Sequence, residues 1–199
     1  MTQAADEIPL FPLNTVLFPG GPLPLRIFET RYVDMVRDCL RRDAGFGVLL
    51  IREGAEVGGM APTMQVGPRA RIVDFNPMPD GLLGIICQGE TRFRLLEKRR
   101  QADGLNVGRV EAIAAPPPTV VPEQYQHLAD LLRRVLPELG SVYASIKRNF
   151  DDADWVSCRL AEILPLEQQE KQQLLELMDP LERLAQLDPH IQQADEDAN

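Results

Sequence analysis

From Ile8 to Phe28 the chain is apolar but repeatedly interrupted by proline: Ile8-Pro9-Leu10-Phe11-Pro12-Leu13, then Leu17-Phe18-Pro19-Gly20, then Pro22-Leu23-Pro24-Leu25. Proline fixes φ and removes a backbone donor, so this stretch predicts one or two short strands with an irregular crossing, not a helix. The period then changes. Tyr32, Met35, Val36, Cys39 and Leu40 fall on one stripe of a helical repeat. They predict a helix over residues 31–42, capped by Thr30 and ended by Asp43-Ala44-Gly45. Phe46 to Ile51 is a continuous apolar run, the pattern of a strand covered on both faces.

Residues 52–68 collect Gly54, Gly58, Gly59, Pro62, Gly67 and Pro68 and predict a loop. Beyond it, Arg69 to Phe75 alternates, with Ala70, Ile72 and Asp74 opposite Arg71, Val73 and Phe75. Pro77, Pro79, Asp80 and Gly81 mark a turn. Leu82–Gln88 and Thr91–Lys98 predict two further strands, the second with Phe93 and Leu95 on one face and Arg92 and Arg94 on the other. Asp103-Gly104 is a hairpin signal, and Val107–Ile113 is its return strand. Short strands joined by tight turns around one helix predict a small closed or partly closed barrel.

Pro116-Pro117-Pro118 is a stiff spacer and the predicted boundary, placing a β-rich part at residues 6–115. Every later segment reads as helix, giving a second part at residues 119–189. One helix follows Pro122 and shows Tyr125, Leu128, Leu132, Val135, Leu136 and Leu139 on one face. Another spans residues 153–164 with Val156, Leu160, Ile163 and Leu164 inward, and a third runs from Glu167 to Met178. A short fourth begins at Asp179-Pro180 and lines up Leu181, Leu184 and Leu187. The acidic stretch 190–199 predicts a disordered tail. The fold class is therefore α+β.

Charge narrows the function classes. At a net charge of −9 the chain is poorly suited to wrapping nucleic acid or lying on an anionic membrane. No apolar run approaches the ~20 residues of a transmembrane helix. The polar, acidic start, Met1 to Glu7, does not read as a signal peptide. Cys39, Cys87 and Cys158 are odd in number and far apart, which predicts buried thiols in a reducing, cytoplasmic compartment, not a disulfide framework. With only His127 and His190 beside them, zinc-ligand spacing is missing, and no metal or cofactor is expected.

Four segments, taken in order, carry a resemblance. They are Ile8 to Gly20; Val66 to Val73 with the following Asp80-Gly81 turn; Gly89 to Glu97; and Gln169 to Glu176 with Asp179-Pro180-Leu181-Glu182-Arg183-Leu184. Together they resemble the N-terminal, substrate-binding domain of ATP-dependent Lon proteases, over residues 7–187. Gly67-Pro68 stands where that family commonly has Gly-Thr, which puts local strand pairing in question. The resemblance implies a PUA-like β-barrel followed by a helical bundle. It also implies a role in gripping unfolded or tagged polypeptide, here without an ATPase or protease attached.

Catalysis is not implied. None of Lys98, Lys147 and Lys171 follows a glycine, so no phosphate-cradling loop exists. Ser145 and Lys147 stand two apart and point away from each other on a helix, so they form no dyad. The carboxylates Asp151, Asp152 and Asp154 precede a helix, where acids suit the N-terminal dipole. Catalytic residues are expected to be none. The expected partners are unfolded or partly unfolded polypeptides, together with a protease or chaperone that takes them over. The candidate contact residues are Phe18, Leu23, Leu25 and Phe28, on a stretch more apolar than one edge segment readily buries. The alternative is an RNA-binding module using Arg92, Arg94, Lys98, Arg99 and Arg100, although exposed aromatics for base stacking are missing there.

Overall fold

The computed structural model of the protein describes residues 6–52, 62–78, 82–144 and 146–197, with side chains to residue 192. The expected turn at Asp80-Gly81, most of the glycine loop, and Ser145 lie outside the described residues. The chain divides into two compact units, Met1–Ala114 and Ala115–Asn199.

Among the described residues the first unit holds six strands and one helix: β1 (Asp6–Leu13), β2 (Pro22–Ile27), α1 (Thr30–Arg42), β3 (Phe46–Leu50), β4 (Val66–Pro77), β5 (Leu83–Arg100) and β6 (Asn106–Ala112). The sheet order is β2-β5-β4-β3-β1-β6, and β6 pairs back onto β5. Five strands therefore close into a ring, and β2 is an outer strand laid antiparallel on β5, Leu25 opposite Ile85. β1 and β3 run parallel, Leu10 beside Gly47 and Leu13 beside Leu50, which the intervening helix permits. Both faces of β1 are used. Ile8 and Leu10 join Leu49, Phe93, Leu95 and Val110 in one apolar cluster. Phe11 joins the other, in which Tyr32, Met35, Val36 and Cys39 of α1 pack on Phe46, Ile85 and Cys87.

Three expectations change at the level of elements. Thr30 is the first helical residue of α1; Glu29 holds the cap position and makes no side-chain capping bond. Leu40, expected on the buried stripe, is 43% exposed. The two strands expected on either side of Gly89-Glu90 are one strand of 18 residues. Gly89 does not break it because the chain needs a residue without Cβ there. An added Cβ would lie 2.2 Å from the Phe18 carbonyl oxygen. The Gly89 N–H donates to the Gly21 carbonyl and its carbonyl accepts from the Gly20 N–H, at 2.9 and 2.7 Å. The departure at Pro68 leaves a mark: the β4–β5 register shifts between Pro68 and Ala70. Proline offers no N–H to a ladder, so a bulge beside it is the expected relief.

The second unit begins with a 3-10 turn, Glu123–Tyr125, leading into α2 (Gln126–Val135). A second 3-10 turn, Leu136–Leu139, and the single-turn α3 (Ser141–Ala144) follow. Then come α4 (Ala153–Ile163), α5 (Gln168–Glu176) and α6 (Pro180–Asp197). Asp152 caps α4 by accepting the Trp155 N–H at 2.8 Å, the role expected of that acidic run. The interior is polar at one point. Arg183, 1% exposed, donates to the Leu174 and Leu177 carbonyls at the end of α5 and to Asp154 and Ser157 of α4. The segment from residue 190 corrects the expectation of a disordered tail, since α6 continues to Asp197. Ile191, 4% exposed, extends the buried stripe of Leu184 and Leu187 one turn further and anchors the helix there.

Candidate functional site

The four candidate contact residues separate. Phe18 is fully buried, and Leu23 is 9% exposed within the core cluster. Neither is available to a ligand, which corrects their selection. The Phe18 backbone runs hard against Gly89, and Leu23 faces Cys87 across the β2–β5 ladder, so both point into the core. Leu25 and Phe28 line a cavity of about 460 Å3, and Phe28 is 71% exposed.

That groove is built where several element ends meet. β1 supplies Phe11 to Leu13, β2 supplies Leu25 to Ile27, and Phe28 and Glu29 link β2 to α1. The first turn of α1 gives Arg31 and Tyr32, the end of β5 gives Arg100, and the start of β6 gives Asn106. Tyr32 stacks on Phe11 to make an aromatic wall, and the Arg31 guanidinium carbon lies 4.7 Å from the Tyr32 ring centroid. Burial raises the Tyr32 pKa above the usual phenol value, so the wall is neutral at physiological pH. Arg31 also pairs with Glu29 at 2.7 Å. The lining is thus apolar on one side and cationic on the other.

The basic residues of β5 do not form one face. Arg92 is 4% exposed, and Lys98 is half-buried with its pKa lowered by desolvation. Arg99 bonds the Glu7 carboxylate, Arg109 neutralises Glu97 at 2.8 Å, and Arg100 turns into the groove. Arg92 is buried although Glu90 and Arg94 on the same face of β5 are exposed, a local burial that period-two reading of an isolated strand does not register.

The cysteines are not poised as nucleophiles. All three cysteines are buried and free. Burial pushes the Cys39 and Cys158 thiols up to about 11 and Cys87 up to about 12, so none is a thiolate near neutrality. Among the described residues no group of three His, Cys, Asp or Glu side chains is placed to hold a metal ion. Among the same residues no helix is long and apolar enough to cross a membrane.

A groove with an apolar and a cationic wall on a ring of strands fits a binding module. The sequence profile of the ATP-dependent protease La (LON) substrate-binding domain matches residues 7–193. The chain belongs to that family. The LON domain superposes on the crystal structure of a Lon N-terminal domain protein from Xanthomonas campestris with a TM-score of 0.76. The two are 38% identical, over 92% of this chain and 96% of that one. Lon protease 2 of Myxococcus xanthus is 30% identical over 179 residues, 86% of this chain and 22% of its own. Protein cereblon of Xenopus tropicalis is 32% identical over 115 residues, 56% of this chain and 25% of its own. The chain thus spans between a fifth and a quarter of the length of these curated relatives. The matched region of this chain is the Lon substrate-binding domain, not the protease or ATPase domain.

Sequence reasoning missed Tyr32, Arg31 and Asn106 as groove residues. Only Tyr32 carried a signal, as part of the helical stripe, and that signal reads as core. Arg31, Arg100 and Asn106 are brought together by strand order alone, which no local pattern encodes.

Proposed function

We propose that the LON domain is a non-enzymatic module that holds segments of unfolded or partly unfolded polypeptides, working in the cytoplasm. In this reading it passes them to a protease or chaperone. The observation that carries the reading is Phe28. A phenylalanine 71% exposed, on the lip of a 460 Å3 groove with aromatic and aliphatic walls, costs solubility unless something covers it. Unfolded chains offer the apolar side chains that such a groove accepts, whereas folded proteins have already buried theirs. Side-chain insertion is favoured over strand addition to β2, because Pro22 and Pro24 remove two N–H donors from that edge strand. The free buried thiols accord with a reducing compartment.

The test is a titration of one client in native and permanently unfolded forms at two salt concentrations. Binding of the unfolded form alone, weakened by Phe28→Ser, is the expected result. Equal or negligible binding of both forms would remove the reading.

A further inference from the structure

The charges in the groove run against those of the chain. Net charge is −9, yet the groove is lined by Arg26, Arg31 and Arg100 against a single carboxylate, Glu29. Two of these guanidiniums converge. Arg31 Nη1 donates to the Gly104 carbonyl oxygen at 2.9 Å, and Arg100 Nε donates to the same oxygen at 3.3 Å. Gly104 can present that oxygen because it takes φ 87°, left-handed backbone that favours glycine, at the tip of the β5–β6 hairpin. One neutral oxygen cannot balance two cations. Glu29 is held by Arg31, and among the described residues Arg100 has no carboxylate partner.

Two further observations point the same way. Arg31 stands in the first turn of α1, where the helix dipole disfavours a cation, and the acid beside it, Glu29, stands at the cap position outside that turn. Asn106, 7% exposed, lines the groove, and its Oδ1 has no hydrogen-bond partner. A buried acceptor left unmet is costly and is the kind of group that a ligand N–H satisfies.

We propose that the groove takes the carboxyl-terminal residue of a polypeptide, an inference that rests on the polypeptide-binding reading above. The terminal carboxylate sits between Arg31 and Arg100. An apolar last side chain lies against Phe11, Leu25 and Phe28, and the Asn106 amide receives the N–H of that residue. Paired guanidiniums match the planar fork of a carboxylate. A cavity of 460 Å3 lies towards the small end of the ~300–1,000 Å3 of ligand pockets, so it suits a chain end better than a segment running through. A phosphate would leave the apolar walls without a partner.

The experiment uses the full chain and fluorescein-labelled decapeptides read by anisotropy. One ends in leucine-phenylalanine as the free acid, and the second is the same peptide amidated. A third is amidated and carries an internal glutamate. The free acid should bind at least about tenfold more tightly than either amide. Arg100→Gln, at an exposed position, should remove that preference while leaving the melting temperature in place, and Arg31→Gln should act in the same direction. Equal binding of acid and amide, or an internal glutamate that restores it, would overturn the carboxyl-terminal assignment. If Phe28→Ser still weakened both forms in that case, polypeptide binding itself would stand. If neither peptide nor an unfolded client bound, both proposals would fall together.

Discussion

Phe11 and Tyr32 stack ring on ring, 4.0 Å between centroids and 20° between planes, and so tie β1 to the first turn of α1. With the Arg31 guanidinium carbon 4.7 Å from the Tyr32 ring, three side chains from two elements form one pile. The apolar and charged walls of the groove are therefore parts of a single packed unit. Aromatic pairs add ~0.5–1.5 kcal/mol beyond burial, and cation–π contact adds about as much again when partly desolvated.

The two phenylalanines that frame β2 should behave oppositely. Phe28→Ser removes a mostly exposed ring and should shift the melting temperature by no more than ~2 °C, while weakening unfolded-client binding about five- to tenfold. Phe18→Ser empties a fully buried position and should cost about 3 kcal/mol or more in urea unfolding. A Phe28 variant that melts like the parent and binds like it would remove the groove from consideration.

Two glycines make a contrast that separates crowding from backbone strain. Gly89→Ala forces a methyl to 2.2 Å from the Phe18 carbonyl oxygen and should cost about 2–3 kcal/mol. Gly140 has φ 84° and ψ −175°, a backbone region essentially confined to glycine, with open space around it, so Gly140→Ala should cost only that backbone strain, about 1–3 kcal/mol. Urea midpoints for the two variants give the ranking directly.

Arg183 is the cross-brace of the helical unit. It satisfies two carbonyls at the end of α5, which a helix leaves unmet, and meets the Asp154 carboxylate at 2.8 Å. Arg183→Ala should destabilise by about 3–5 kcal/mol. Arg183→Lys should recover little, because an ammonium cannot span the same acceptors as a planar fork. Near-parental stability of the lysine variant would show that charge alone suffices.

A pH dependence should come from Glu162. Burial raises its pKa from 4.5 to about 7, and the neighbouring Arg159, ion-paired with it at 2.9 Å, only partly offsets the shift. The folded state therefore binds this proton more tightly than the unfolded state does. The contribution is complete below about pH 4.5 and is lost as pH rises through about 7. Measured against Glu162→Gln, the parent should lose on the order of 1–3 kcal/mol of relative stability across that window. A difference that stays flat from pH 4.5 to 7.5 would contradict it.

The thiols should be silent in the native state. All three are buried, with pKa values of about 11 to 12, so a disulfide reagent at pH 7.5 should label them only on unfolding. Fast labelling of any one at native pH would show local opening.

Much of the architecture was legible because local pattern and tertiary packing agree. The apolar run at Phe46 gives β3, and the Asp103-Gly104 turn sits between β5 and β6. The stripe through Tyr32, Met35, Val36 and Cys39 is the buried face of α1. Where reading failed, distant contacts decided. Gly89 reads as a break but serves the approach of Phe18, and Arg92 reads as surface but is buried between exposed neighbours on its own face. The same holds for the candidate site. Leu25 and Phe28 were within reach of the apolar pattern, yet that pattern could not separate them from Phe18 and Leu23: Leu23 and Leu25 share one face of β2 and Phe18 and Phe28 lie outside it, so tertiary cover and not period decides which is buried. Arg31 and Arg100 are 69 positions apart, and only the Gly104 carbonyl shows that they meet.

The unbroken length of β5 has a mechanical meaning. Its first half carries β2 as a six-residue antiparallel ladder, and its second half carries β6 and so closes the ring. A pull applied at Phe28 along β2 is passed to β5 as shear, which loads all six pairs at once in place of peeling them singly. On the proposed reading, groove and ring would share one continuous rod, and a tug on a bound chain would be spread through the barrel instead of fraying its lip.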